Sequence, residues 1–309
     1  MRLLILLLSL LYFSALYSQE IVLKTKFPIR DFKINDNTIV YIEKRDIKNV
    51  NLISKKEDSL IKKSGYFIGG YGLNIYYPKT EDFIITSSNE WLRNRSSIRF
   101  YNIKTKAVDK YNVLYKTELM DFLLLPEKKM FFLSEKKHTI EVYKYGGKPR
   151  YKLIDKINLN SFARKLRFKN NKLYYITDSG KLFQYDIENK ENKLIYEGNV
   201  ILTNFVFDNE SNNIYITTFN GKLIKVEVNN SFKNKEIFIG DTVIEALNIQ
   251  GDFIITGDWN GAIKLIEKET LEVQKEFKIK KRIIKIRVQN NNVFYTSSAD
   301  KTLRRWNVE

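Results

Sequence analysis

The sequence contains no cysteine, a single histidine, four prolines and thirteen glycines among its 309 residues. Without cysteine the chain forms no disulfide, offers no thiolate to a metal or a substrate, and lacks the residue on which a bacterial lipoprotein anchor is built. With one histidine, His138, most zinc sites, nucleophile–base pairs and proton relays are excluded as well. The sequence also contains no glycine-rich phosphate loop and no calcium-loop pattern. We therefore expect no cofactor and no bound metal.

Long apolar runs are scarce too, and the one that is present stands at the amino terminus. Residues 1–18, MRLLILLLSLLYFSALYS, place Arg2 ahead of an apolar stretch that ends at the small residue Ser18. This order is typical of a secretory signal peptide, and the stretch is shorter than the roughly 20 residues that a membrane-spanning helix needs. We expect cleavage of this leader and export to a periplasm or to the outside of the cell; an uncleaved membrane anchor is the alternative.

Acidic residues are fewer than basic ones, 36 against 53, and the formal net charge is +17. A basic exported protein is attracted to anionic lipid, lipopolysaccharide and acidic glycans. The abundance of Lys together with Asn, Ile and Tyr equally fits an AT-rich genome, in which case lysine only decorates solvent-facing surfaces. Nucleic acid is not an expected partner, because export removes it and the sequence has no basic helix or RNA-binding aromatic motif.

What the chain does have is one small pattern repeated seven times: an apolar strand, a tight turn, and a second strand that ends in a large apolar residue. We anchor the copies on the first apolar residue of that second strand, which gives spacings of 48, 42, 42, 41, 40 and 40 residues. The anchors are Val50, Ile98, Ile140, Leu182, Leu223, Ile263 and Leu303. A period of about 40–45 residues with short strands is the signature of a propeller blade. The sequence predicts an all-β, seven-bladed β-propeller with four-stranded antiparallel blades, as a single domain over residues 19–309.

Turn residues support this division into blades. Asn220-Gly221 and Asn260-Gly261 occupy the same place in successive blades, where we expect a two-residue hairpin turn with positive φ. The last blade ends after only three strands, which would leave an unpaired edge. We expect EIVLKTKF, residues 20–27, to add the missing fourth strand and to close the ring, with the protein a monomer.

Two segments of the last blades resemble WD-repeat units, whose third strand follows an Asp turn and ends in Trp-Asp. They are TGDWNGAIKLIEK, residues 256–268, and SSADKTLRRWN, residues 297–307. Only Trp306 stands where that family has its tryptophan, and Asn307 replaces the aspartate. The similarity is specific only in these late blades, and other propeller families with degenerate blades stay open.

The WD-repeat family builds a hydrogen-bonded tetrad from His, Ser or Thr, Asp and Trp. The family's Gly-His dipeptide is missing from every blade of this chain, because its one histidine, His138, falls in a turn. The resemblance therefore implies at most a partial tetrad, around Ser298, Asp300 and Trp306. For Asp300 a turn role is favoured over that of an acid or base.

In WD-like propellers the loops between second and third strands open on one face, together with the loops that link one blade to the next, and the resemblance implies the same arrangement here. The second blade enlarges such a loop to SSNEWLRNRSS, residues 87–97, and brings Trp91, Arg93 and Arg95 to one rim. Exposed Trp with Arg is the composition of a protein interaction hot spot and also of a sugar-stacking platform. The alternative is that each tryptophan packs over its own turn.

Equivalent loops of other blades add further candidates for this rim. In the sixth blade Trp259 is flanked by Asp258 and Asn260, and Phe219 and His138 hold related places in the fifth and third. We predict a binding surface on this loop face.

The inner strands alternate apolar and polar residues, and the polar positions are charged in several blades. Asp31 and Asp121 supply carboxylates, and the cations are Lys33, Lys165, Arg167, Lys285 and Arg287. These side chains are expected to line a wet central channel. A cationic sector could hold an anion or an acidic tail; if the charges balance internally, the channel is simply solvated.

Taken together, these features favour a non-enzymatic exported scaffold that binds a protein or an envelope glycan at its loop face. The competing hypothesis is a hydrolase or lyase that acts on an acidic glycan or lactone. That chemistry needs two carboxylates in the channel mouth, about 5–10 Å apart.

Overall fold

The structure is a computed structural model that describes residues 19–44, 46–61, 70–76, 83–90, 95–146, 151–228 and 232–308. The predicted leader, residues 1–18, lies outside the described residues. Over these ranges the chain forms seven four-stranded antiparallel sheets arranged as blades of a ring, which confirms the predicted seven-bladed β-propeller. Within the same ranges no helix has the length and apolar character needed to cross a membrane.

The described part of the chain starts with a strand of the last blade and then builds the blades in order. This first strand is β1 (Gln19–Lys24). Blade 1 consists of β2 (Ile29–Asn35), β3 (Thr38–Glu43), β4 (Asp46–Asn51) and β5 (Glu57–Ile61). Blade 2 consists of β6 (Gly70–Tyr76), β7 (Phe83–Glu90), β8 (Arg95–Asn102) and β9 (Ala107–Lys116). Blade 3 consists of β10 (Leu119–Leu125), a 3-10 turn (Pro126–Lys128), β11 (Met130–Glu135), β12 (Thr139–Tyr145) and β13 (Tyr151–Asn158).

The later blades follow the same plan with shorter connections. Blade 4 consists of β14 (Ala163–Lys169), β15 (Lys172–Thr177), β16 (Lys181–Asp186) and β17 (Glu191–Glu197). Blade 5 consists of β18 (Leu202–Phe207), β19 (Ile214–Thr218), β20 (Lys222–Glu227) and β21 (Lys233–Phe238). Blade 6 consists of β22 (Ile244–Gln250), β23 (Phe253–Asp258), β24 (Ala262–Glu267) and β25 (Val273–Lys278). Blade 7 consists of β26 (Ile283–Asn290), β27 (Val293–Ser298), β28 (Thr302–Asn307) and β1.

The hydrophobic core is divided into seven layers, each between two neighbouring blades. Between blades 7 and 1, for example, Phe32 and Tyr41 pack with Tyr295 and Leu303. Because both faces of a sheet are covered by neighbours, the second strands are buried along most of their length, as in β19. Removing this apolar surface from water is the main force that holds blade against blade.

Ring closure follows the prediction. Strand β1 pairs antiparallel with β28, from Gln19 opposite Trp306 to Lys24 opposite Thr302. Leu23 packs into the layer between blades 7 and 1. The two ends of the described chain thus share one sheet, and the third strand of blade 7 is not left as an open edge.

The turns between second and third strands differ from the prediction in length. Gly221 and Gly261 have φ of +84° and +86°, as expected, but Asn220 and Asn260 before them do not have positive φ. The amide of Gly261 donates to the carbonyl of Asp258, three residues earlier, at 3.3 Å. The loops are therefore three residues long, a type I turn followed by a left-handed glycine, and the predicted two-residue turn is wrong.

The anchor of the first blade is also corrected. The pairing of β3 with β4 places Ile47 at the position of the later anchors, and Val50 at the position of Trp306. Both Ile47 and Val50 are fully buried, because each sheet is covered on both faces. Burial of an apolar residue therefore does not reveal which of the two is the anchor.

Every inner strand carries the same irregularity. In β2, β6, β10, β14, β18, β22 and β26 the pairing with the second strand slips by one residue at the same place. Such a bulge bends a strand and redirects its side chains. Because the slip recurs in all seven blades, the residues that follow it hold equivalent positions around the axis. In β26 these residues include Lys285 and Arg287.

Candidate functional site

The loops between second and third strands meet the loops between blades on one face, as predicted. The amide of Ile239 donates to the carbonyl of Gly221 at 3.0 Å, and that of Ile279 to Gly261 at 2.9 Å. In blade 3 Leu159 donates in the same way to His138 at 2.8 Å. This recurring bond ties each turn to the following connection, and we call the resulting surface the loop face.

On the loop face Trp259 and Phe219 come together. They hold equivalent places in blades 6 and 5, and their rings meet edge to face with 5.9 Å between centroids. The indole N–H of Trp259 donates to Glu245 Oε2 at 2.9 Å, and the guanidinium of Arg282 lies 5.6 Å from the indole centroid. Trp259 nevertheless stays 41% exposed and Phe219 43%. We call Phe219, Trp259, Glu245 and Arg282 the aromatic rim.

Sequence reasoning found the two aromatic residues of the rim but missed their charged partners. Glu245 is the second residue of β22, and Arg282 immediately precedes β26. Both residues lie at the starts of inner strands, and in every blade the inner strand starts at the loop face. Their place at the start of an inner strand could have marked them in the sequence as loop-face residues. It does not predict that their side chains reach Trp259.

The other predicted rim residues of blades 3 and 6 do not join this cluster. Asp258 is only 8% exposed, and its carboxylate accepts the N–H of Ala262 at 2.7 Å, which is a turn contact. Asn260 is exposed at the tip of the same turn. His138 has φ of +59° and lies against Phe162 with 6.2 Å between ring centroids. These side chains fit turn roles in their own blades.

In blade 2 the predicted enlarged loop is largely strand. Trp91 and Arg93 lie outside the described residues, and Arg95 opens β8 opposite Glu90. The pairing of β7 with β8 runs without a break from Glu90–Arg95 to the anchor Ile98 and beyond. Strand β6 extends with it, since Gly70 pairs with Glu90. The added residues lengthen a sheet whose hydrogen bonds satisfy their backbone, and the prediction of a loop over all of 87–97 is wrong.

The bulges of the inner strands arrange side chains in two rings around the channel. The residues just before the buried apolar position form the first ring: Asp31, Asn74, Asp121, Lys165, Asn204, Ala246 and Lys285. Lys165 Nζ lies 3.6 Å from Asp121 Oδ1, and Lys285 Nζ lies 3.8 Å from Asp31 Oδ1. The second carboxylate oxygen of Asp31 accepts the N–H of Ile75 in blade 2 at 3.1 Å. In this ring two lysines face two aspartates.

The residues just after the apolar position form the second ring: Lys33, Tyr76, Leu123, Arg167, Val206, Asn248 and Arg287. It contains three cations and no carboxylate. Arg287 reaches into the first ring, where its Nη2 lies 2.8 Å from Asp31 Oδ1. Lys33 Nζ lies 5.0 Å from the ring centroid of Tyr76. Arg167 donates to the carbonyl of Phe205 at 3.2 Å.

The crowding of cations changes the ionisation of the channel lysines. Burial, with repulsion from Arg287, lowers the pKa of Lys285 to about 7 and that of Lys33 to about 8, against the attraction of Asp31. Burial opposes ionisation of Asp31, but Arg287, Lys285 and Lys33 together hold its pKa well below the usual range. The predicted channel cations thus form one electrostatic unit, in which the aspartate is ionised and two lysines titrate near neutral pH.

The hydrogen bonds implied by the WD-repeat resemblance are present only in part. Trp306 Nε1 donates to Thr296 Oγ1 at 2.9 Å and not to Ser298. Asp300 accepts the N–H of Thr302 at 3.1 Å and Arg304 Nη2 at 2.6 Å. Burial opposes its ionisation, yet these bonds and the Arg304 charge lower the pKa of Asp300 to about 2. Asp300 therefore organises the turn. Trp306, on β28, is held instead by Thr296 of the neighbouring strand β27.

Comparison with known proteins defines the architecture only. No protein-family model matches this chain, and no curated protein matches it either. Among solved structures, the crystal structure of the computationally designed Ika8 protein is similar, with a TM-score of 0.66 over 91% of this chain and 83% of that chain. The two sequences are 14% identical, a level at which the likeness shows the propeller fold alone.

Proposed function

We propose that this protein is an exported, non-enzymatic scaffold that binds a partner protein at the aromatic rim. The observation that carries the proposal is the state of Trp259, which is 41% exposed although Glu245, Phe219 and Arg282 all contact it. A side chain that is fixed before binding loses little entropy when a partner covers it. Trp and Arg are also the residues most enriched in interaction hot spots.

A protein partner fits the rim better than a glycan does. A sugar stacks on an open face of an aromatic ring, but the guanidinium of Arg282 lies over the indole of Trp259. The carboxylate of Glu245 accepts the indole N–H, and that of Asp258 accepts a backbone N–H of its turn. Both carboxylates beside Trp259 are therefore already engaged and do not hold sugar hydroxyls. The experiment that tests the proposal also tests for binding of an envelope glycan.

The hydrolase alternative has less support, because the channel carboxylates are already engaged. Asp31 contacts two cations and accepts one backbone N–H, and Asp121 contacts Lys165 and accepts the N–H of Leu166 at 2.9 Å. A general acid needs a raised pKa, whereas the cations keep the pKa of Asp31 low. Export rests on the sequence of residues 1–18 and is part of the proposal.

The test is crosslinking in intact cells, followed by affinity measurement with the purified partner. Trp259→Ala should weaken that affinity by about 2 kcal/mol, or roughly 30-fold, as expected of a hot-spot residue. Ile53→Ala is the matched control, because Ile53 is 74% exposed in the turn between β4 and β5, on the opposite face. A folded Trp259→Ala protein that binds its partner with wild-type affinity would contradict the proposal. Binding to purified envelope glycans alone would replace the protein partner with a glycan.

A further inference from the structure

The three cations of the second ring come from two sides of the propeller, because blades 7 and 1 are neighbours and blade 4 lies across the axis. Lys33 belongs to blade 1, Arg167 to blade 4 and Arg287 to blade 7. Burial lowers the pKa of both Lys33 and Arg167. Repulsion from Arg287 and Arg167 lowers the pKa of Lys33 further, against the attraction of Asp31. Repulsion from Arg287 likewise lowers the pKa of Arg167, against the attraction of Asp121. Blades 1 and 4 are not neighbours, so their side chains can act on each other only across the axis. All three cations also hold the same position of their inner strands, just after the buried apolar residue, and so lie around the one channel.

Counter-charges for these cations are few. In the part of the chain that the structure describes, no carboxylate lies within ion-pair distance of Lys33 or Arg167, whose contacts are the Tyr76 ring and neutral oxygens. Among the described residues, Arg287 pairs with one aspartate, Asp31, which it shares with Lys285. Across both rings five cations face two carboxylates, and the remaining positions of the two rings are amides, apolar residues and Tyr76. The channel thus has an excess of positive charge in the second ring.

On the side of blades 4 to 6, the second ring borders a cavity at the end of the channel away from the loop face. Arg167 and Asn248 line this cavity together with residues of the first turns of blades 5, 6 and 7. Its acidic residues are already paired, since Lys268 Nζ lies 3.3 Å from Asp208 Oδ2 and 2.9 Å from Glu210 Oε2. A small anion that enters here reaches Arg167 without meeting an unpaired carboxylate of the cavity wall.

We propose that the central channel binds a phosphate group between Lys33, Arg167 and Arg287. A tetrahedral oxyanion offers oxygens in several directions, so one oxygen can accept from Arg167 on one side of the channel while others accept from Lys33 and Arg287 on the opposite side. Guanidinium groups match such oxygens with paired N–H donors. The two negative charges of phosphate offset most of the excess in the channel. This site is independent of the aromatic rim and of any partner bound there.

Calorimetric titration of the purified protein tests the proposal. Inorganic phosphate and glycerol phosphate serve as probes for the free anion and for an esterified group, and chloride at the same ionic strength is the reference. Arg167→Gln and Lys33→Met should each weaken phosphate binding at least about tenfold, the effect of one lost charge-assisted hydrogen bond. Lys169→Gln is the control: Lys169 lies on the same strand as Arg167, but its Nζ donates to Asn212 at 3.0 Å.

Binding should also fall as the channel lysines lose their protons. Sulfate is the probe for this arm, because it keeps both charges from pH 7 to pH 9.5. Its affinity should decrease over that range, since the pKa values of Lys285 and Lys33 are about 7 and 8, while Arg167 and Arg287 stay charged. Phosphate and sulfate that bind no better than chloride would overturn the proposal. So would wild-type affinity in folded Lys33→Met protein, which keeps the aliphatic volume over Tyr76 and remains informative if Arg167→Gln does not fold.

Discussion

Blades 6 and 7 share one plan but are held together in different ways. Blade 6 is a continuous segment, residues 244–278, and its central turn carries Gly261 at φ +86°. Blade 7 combines the two ends of the described chain, and its turn has Lys301 at φ +69°. In both turns a carboxylate accepts a backbone N–H, from Ala262 to Asp258 in blade 6 and from Thr302 to Asp300 in blade 7. In blade 7 the carboxylate also pairs with Arg304, and Trp306 bonds to the neighbouring strand. Compared with blade 6, the closing blade therefore depends more on individual side chains.

Among the changes that test this difference, removal of β1 should have the largest effect on the stability of the protein. Deletion of residues 19–27 exposes the edge of β28 and removes Leu23 from the layer with blade 1. We expect a loss in the free energy of unfolding above the ~3 kcal/mol typical of single substitutions, with aggregation through the free edge. Chemical denaturation and light scattering measure both effects.

A peptide added in trans separates loss of the strand from general damage. A synthetic peptide of residues 19–27 should restore stability to the deleted protein, because an exposed sheet edge accepts an added strand. A scrambled peptide of the same composition is the control. A deleted protein that stays monomeric and as stable as the full chain would show that β1 does not close the ring.

In blade 6 the glycine turn should be the sensitive element. A Cβ at Gly261 would collide with the carbonyls of Ile279 and Lys281, in addition to the strain of its positive φ. We expect Gly261→Ala to cost about 3 kcal/mol, the upper end for a strained backbone position. Gly251→Ala is the matched control in the same blade, because Gly251 also has positive φ but open space around it. Equal unfolding midpoints for the two variants would show that the close approach is unimportant.

In blade 7, a substitution in the polar turn should destabilise the protein less than Gly261→Ala does in blade 6, and its effect should depend on pH. Asp300→Asn removes a charged partner of Arg304, which is 8% exposed, and should cost about 2 kcal/mol near pH 7. The pKa of Asp300 is about 2 in the folded protein, below its value in the unfolded chain. Its contribution is therefore complete above about pH 4 and is lost as the pH falls towards 2.

Comparison of unfolding curves at pH 7 and pH 2.5 tests this pH dependence. The difference in stability between wild type and Asp300→Asn should shrink at the lower pH. Asp252→Asn, at an exposed turn of blade 6, should match the wild type at both. A difference between wild type and Asp300→Asn that does not change with pH would mean that the carboxylate charge does not hold the turn.

The sequence predicted the blades well because their number follows from a repeated apolar spacing, and closure follows from a last blade that lacks a strand. It predicted the glycine of each turn but not the turn length, since Asn-Gly suits loops of two and of three residues. In the channel, alternation identified the charged residues, but the bulge that sorts Asp31 and Lys33 into different rings depends on pairing between strands. For the rim, Glu245 and Arg282 reach Trp259 from other segments of the chain, which no local pattern records.

The bulge common to the seven inner strands has a consequence for how such a protein changes over time. Since the backbone around the axis is the same in every blade, a substitution at one ring position alters the lining without altering the frame that carries it. Arg167, Val206 and Asn248 already occupy one equivalent position in three successive blades. The architecture and the chemistry of the channel can therefore be inherited separately, and a descendant of this ring could exchange its cations for other groups one blade at a time.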